Sequence, residues 1–200
     1  DELWSALLGV FTPTSRKTTT YKFGFLKSII DNLYNVDINY VLTFDQLFGK
    51  FTEIYWNLIL KYNLLQKPVD KNNKESKIEK ILYSTQSKYS LGENIPFESL
   101  PEQIKQEIVV NVKKECKQYV VAALFGDTQM MFYSFSKSEE WIQINPQMYD
   151  FICKHKLMIE KINYFEWAKF LEKVNSETTT PQLLSKLDAS SKRNNLSIYR

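Results

Sequence analysis

Apolar residues recur at three- and four-residue spacing along most of the chain, and this period predicts helices. The first runs from about Leu3 to Val10. Thr12-Pro13-Thr14 ends it, because proline disfavours a helical residue before it. A second starts near Thr18–Thr20. There Tyr21, Phe25, Ile29 and Leu33 fall every four residues with Leu26 and Ile30 beside them, and Lys22, Lys27, Asp31 and Asn32 are expected on the other side. Asn35 to Asn39 reads as a loop. Thr43 and Gln46 have capping-box spacing. Phe44, Leu47, Phe48, Phe51, Tyr55, Leu58, Ile59 and Tyr62 then keep helical period to about Leu65, and so broad a stripe predicts a central helix. After a polar loop over Pro68 to Lys74, Lys77 to Tyr89 predicts another helix, with Ile78, Ile81 and Leu82 inward. Ser99 and Glu102 repeat the capping-box spacing, with Pro101 in the first turn. Ile104, Ile108, Val112, Cys116 and Val120 predict one helix to about Ala123, ended by Gly126-Asp127.

The period then changes. Met131 to Phe135 and Trp141 to Ile144 are short, aromatic and roughly alternating, with polar Ser136 to Glu140 between them. They predict a hairpin. Asn145-Pro146 supplies an N-cap and a first-turn proline, and helical period continues to about Val174, with Asn163 the candidate break. Ser176 to Thr180 is polar, Leu183 to Leu187 predicts a short helix, and Asp188 to Asn195 is polar again. The expected fold is mainly α, a multi-helix domain over residues 1–175 with one small antiparallel β-hairpin near 131–144. Residues 176–200 are expected to be a linker to a further C-terminal module.

Composition fits an ordinary folded domain: 200 residues, 44% of them apolar and 24% charged. A chain of this length can bury a core without disulfides or metals. No apolar run approaches the length of a membrane span, so no membrane contact is expected. Asp1-Glu2-Leu3-Trp4 lacks the basic start of a signal peptide. Cys116 and Cys153 lie in apolar-periodic stretches and read as buried free thiols, which suits a reducing, cytoplasmic setting. The net charge is only +3. Two local excesses stand out: Arg16, Lys17, Lys22 and Lys27, with no acid between Glu2 and Asp31, and Lys186, Lys192, Arg193 and Arg200, which face only Asp188. Such clusters either meet phosphates or form solvated surface.

Catalytic signatures are sparse. The five glycines are scattered singly, so no phosphate-cradling loop is predicted, and no zinc-spacing motif occurs. His155 lies two helical positions from Cys153, which points the two side chains apart, so it reads as structural or surface. Glu115-Cys116-Lys117 resembles half of a metal-nuclease motif but sits in a helical stripe. Glu166 and Lys169 read as a structural i,i+3 charge pair. Phe132, Tyr133, Phe135 and Trp141 could stack bases or cap the core.

Three stretches carry a family resemblance. One is Thr14-Ser15-Arg16-Lys17-Thr18-Thr19-Thr20-Tyr21-Lys22-Phe23, leading into Leu26 to Tyr34. The next is Ala123-Leu124-Phe125-Gly126-Asp127, with Phe132-Tyr133-Ser134-Phe135. The third is Tyr149-Asp150-Phe151-Ile152, with Asn163 to Asn175. In this order they resemble the N-terminal helical region of bacterial HNH-endonuclease-domain proteins, in which such a region precedes a C-terminal HNH module. Ser191 to Arg200 looks like the approach to that module. An HNH site needs several His, Asn or Asp groups around a divalent metal. This chain has one His and no such sequence, so catalytic residues and metal ligands are expected in neither half, and the metal is expected in a module beyond Arg200. The resemblance implies an accessory domain, inactive alone, that positions DNA, with restriction or phage defence as the setting. Phosphate contacts would come from Arg16, Lys17, Thr18, Thr19, Thr20, Lys22 and Lys27, with Lys192 and Arg193 near the junction. A protein-interaction or sensing domain that regulates a nuclease without touching DNA is the alternative. A protein partner or a second copy is then expected.

Overall fold

The computed structural model describes residues 2–12, 18–69 and 75–191. The chain is mainly α with one small antiparallel sheet. Helix α1 (Glu2–Leu8) passes through a 3-10 turn into an extended Thr12. Helix α2 (Tyr21–Asp31) is buried from Phe23 to Asp31. Its predicted polar side does not face water, since Lys27, Asp31 and the adjoining Asn32 are all buried.

Strand β1 (Val41–Thr43) runs straight into α3 (Phe44–Trp56), and Thr43 and Gln46 close the predicted capping box. The Phe44, Leu47, Phe48 and Phe51 side chains are fully buried, as expected of a central helix. α3 does not continue as one helix to Leu65. It widens into a π-helical turn over Asn57–Lys61, with the Tyr62 N–H donating to the Asn57 carbonyl. The wide turn leaves the Asn57 side chain free to link distant segments. Its Nδ2 donates to the Ser190 carbonyl at 2.8 Å, and its Oδ1 accepts from the Phe97 N–H at 3.0 Å.

Helix α4 (Lys77–Lys88) starts at a capping box of Ser76 and Glu79. Two expectations for the next segment fail. Ser99 ends a 3-10 turn, and α5 (Glu102–Cys116) is capped instead by Pro101, whose carbonyl accepts from Ile104 and Lys105. Nor does α5 reach Ala123. A turn over residues 117–119 separates it from α6 (Val120–Asp127), while Lys117 reaches out to Glu140 at 2.6 Å. The apolar stripe survives the break, because Cys116 and Val120 are both buried.

Strands β2 (Tyr133–Ser136) and β3 (Trp141–Ile144) form the predicted hairpin. β1 joins it as a third strand in the order β1-β3-β2, with Leu42 opposite Ile142. Its turn is held down at Glu140, whose carboxylate meets Lys113 and Lys117 at 2.6 Å each; Lys113 also meets Asp45 at 2.7 Å. Phe132 and Tyr133 belong to the core, and the Tyr133 hydroxyl donates to the Val121 carbonyl at 2.6 Å.

Helix α7 (Pro146–Val174) is continuous through Asn163, contrary to the candidate break. Asn163 instead donates to the Phe23 carbonyl at 3.0 Å and joins α7 to α2. Residues 176–191 are not a free linker. Helix α8 (Thr180–Asp188) folds back on α7, Leu183 and Leu187 are fully buried, and Ser190 and Ser191 are buried beyond it.

Packing is tight at Gly24 in α2, where an added Cβ would lie 2.4 Å from a Tyr55 ring carbon. Gly49 in α3 has nothing within 4 Å. Gly24→Ala should destabilise the chain by about 1–3 kcal/mol through overpacking. Gly49→Ala should stabilise it by up to about 1 kcal/mol through helix propensity. Urea unfolding of both variants checks the opposite signs; a neutral Gly24→Ala contradicts the packing.

Candidate functional site

Of the residues expected to meet phosphate, Thr20, Lys22 and Lys27 have partners within the fold. Thr20 is fully buried. Its hydroxyl donates to Gln66 Oε1 at 2.6 Å and lies 3.0 Å from the Tyr55 hydroxyl. Its carbonyl accepts from Phe23 and Gly24, and Thr19 Oγ1 accepts from the Tyr21 N–H, so these first-turn amides of α2 are occupied. Thr18 is exposed and Thr19 half-buried. Lys22 meets Asp127 at 2.6 Å with both side chains largely buried. Arg16, Lys17, Lys192 and Arg193 lie outside the described residues.

Lys27 corrects the sequence reading most sharply. Its side chain is 1% exposed and ion-pairs with Asp31 one turn on and with Glu160 of α7 at 2.9 Å. Ser191 Oγ donates to the other Asp31 oxygen at 3.1 Å, and the Tyr164 ring lies 5.6 Å from the ammonium. Burial alone would lower the Lys27 pKa, but Asp31, Tyr164 and Glu160 outweigh it and hold the ammonium well above the ordinary lysine range. This cation is enclosed by carboxylates, and the cluster ties α2 to α7 and to Ser191, beyond α8.

Among the described residues no group of His, Cys, Asp and Glu could hold a metal ion. The cysteines are free, but only Cys116 is buried; Cys153 is exposed, contrary to expectation. Burial pushes the Cys116 thiol up, and partial desolvation by its neighbours raises that of Cys153. His155 packs between Trp4 and Phe151, with ring centroids 5.2 and 4.9 Å away, and helps hold α1 to α7. A groove of about 410 Å³ between α4 and α5 is bordered by Lys88 and Glu107, which close on each other at 2.7 Å.

The outer face of α7 gathers three exposed apolar side chains along one helix. Leu157, Met158 and Phe165 are 64%, 55% and 50% exposed. Successive helical residues turn by about 100°. On α7, Lys154, Leu157, Met158, Lys161, Phe165 and Lys169 therefore fall within an arc of about 120°. Lys154 and Lys161 are exposed and make no ion pair among the described residues, while Lys169 is shared with Glu166 at 3.3 Å. The buried residues Glu160, Asn163, Tyr164, Trp167 and Leu171 lie outside this arc, to one side of it, and the small Ala168, also buried, falls within it near its C-terminal end. Residue by residue the chain writes this double character plainly. Its length hides it, because a helix apolar on two sides has little net amphipathicity to detect.

No known protein-family model, no curated protein and no solved structure matches this chain. The resemblance to HNH-endonuclease-domain proteins therefore rests on the three quoted stretches. Among the described residues no helix is long and apolar enough to cross a membrane.

Lys27→Met strands two buried carboxylates and should cost about 3–5 kcal/mol in urea unfolding. Replacing Asp31 and Glu160 by Leu in the same chain should recover much of that loss; no recovery would mean that packing, not the stranded charge, sets the cost. A raised lysine pKa gives stability that is complete below the ordinary value of 10.5 and lost as pH rises through the folded value. Wild type and Lys27→Met should therefore differ by a constant amount from pH 7 to pH 9.

Proposed function

We propose that this chain is a protein-interaction domain. In the setting its resemblance implies, it regulates an HNH nuclease module without contacting DNA, and the metal and catalytic groups belong to that module. One observation carries the reading: α7 exposes Leu157, Met158 and Phe165 on one stripe, while Lys22 and Lys27 pair with carboxylates inside the fold. Exposed large apolar side chains gathered on one face mark interaction sites, whereas a phosphate-binding face requires unpaired cations gathered in water. The free thiols and the lack of a membrane-crossing helix among the described residues suit a cytoplasmic protein.

Titrating a short labelled duplex with the purified chain over a salt series tests this. The expected result is no binding at low salt. Affinity that falls steeply with salt and disappears when Arg16 and Lys17, or Lys192 and Arg193, become Ala would restore the DNA-positioning role.

A further inference from the structure

We infer that the outer face of α7 receives an acidic amphipathic helix of a partner protein; this deepens the interaction reading and rests on it. From Lys154 to Lys169 the stripe extends about 22 Å, roughly four turns. A docked helix matches that length with its own i, i+3, i+4, i+7 positions. Over this stretch the stripe carries three lysines and no acid: Lys161 sits between Met158 and Phe165, and Lys154 and Lys169 flank the apolar residues at the two ends. The carboxylates of the same face, Asp150 and Glu172, lie beyond its two ends. The complement is an apolar seam flanked by Asp or Glu.

Charge also argues against a second copy as the occupant. An antiparallel pairing centred on Lys161 gives the best apolar overlap, with Leu157 of one copy against Phe165 of the other. The same register sets Lys161 against Lys161 and Asp150 against Glu172. A parallel pairing in register sets every lysine of the stripe against itself. Both place like charges at the contact.

Three synthetic amphipathic peptides with the same Leu seam test the inference, flanked respectively by Glu, Gln and Lys. Fluorescence anisotropy with the full chain should rank them Glu, Gln, Lys, with about a tenfold gap between the first two. Lys154→Glu, Lys161→Glu and Lys169→Glu together should invert the order. Leu157→Ser with Phe165→Ser should weaken all three, with an unchanged unfolding midpoint to show that the fold survives. Equal binding of the three peptides, lost in the Ser variant, would leave an interaction face but overturn the acidic partner. Self-association that the Ser variant abolishes, without peptide binding, would make a second copy the occupant and overturn the inference. Binding only to phosphatidylglycerol vesicles or to duplex DNA would overturn both the inference and the interaction reading.

Discussion

Lys27 is a cation taken almost wholly out of water, and the arrangement of the helices around it follows from that. An ammonium in such a place must meet carboxylates, and Asp31 and Glu160 arrive from its own helix and from α7. Glu160 in turn fixes the rotation of α7 about its axis. With Glu160 turned inward, Asn163, Tyr164, Trp167 and Leu171 follow at helical spacing and pack toward α2 and α8, and Asn163 bonds to Phe23. Ser191 closes the far side of Asp31 and holds the segment after α8 to the same centre. Once α7 is rotated this way, Met158 and Phe165, about 140–160° round the helix from Glu160, face outward, with Leu157 at the edge of the same face.

Much of the fold was legible in the chain. The Thr43/Gln46 capping box, the aromatic stripe of α3 and the hairpin each rest on a local pattern that tertiary packing reinforces. What was not legible depends on distant partners. β1 is three residues long, too short to show a period, and exists because β3 pairs with it. The breaks at Asn57 and after Cys116 carry no Gly or Pro. Side chains tied elsewhere accompany them, Asn57 to Ser190 and Phe97, and Lys117 to Glu140. The burial of Lys22 and Lys27 was not legible for a related reason. Counting Lys22 and Lys27 as a basic cluster assumed that they face water, but Asp127 and Glu160, which take their charges, lie far along the sequence.

A net charge of +3 over 200 residues gives weak long-range attraction to a polyanion, and internal pairing weakens it further at the N-terminal cluster. Three lysines set within an apolar stripe act at short range, where burial of the seam contributes affinity and the flanking charges select the partner. In the function proposed, a domain built this way would control a neighbouring module by contact. Its rigid inner architecture would hold the outer stripe of α7 in one shape.

The central claim is that α7 shows one face to the core and the other to solvent, and its two methionines report on both. Met148 is fully buried and Met158 is 55% exposed on the same helix. Limited oxidation of the native chain with dilute peroxide, followed by peptide mass mapping, compares them within one molecule. The account predicts that Met158 is converted to sulfoxide rapidly while Met148 stays protected until the chain is unfolded. Equal protection of both would mean that the outer face is already covered, and would contradict the account.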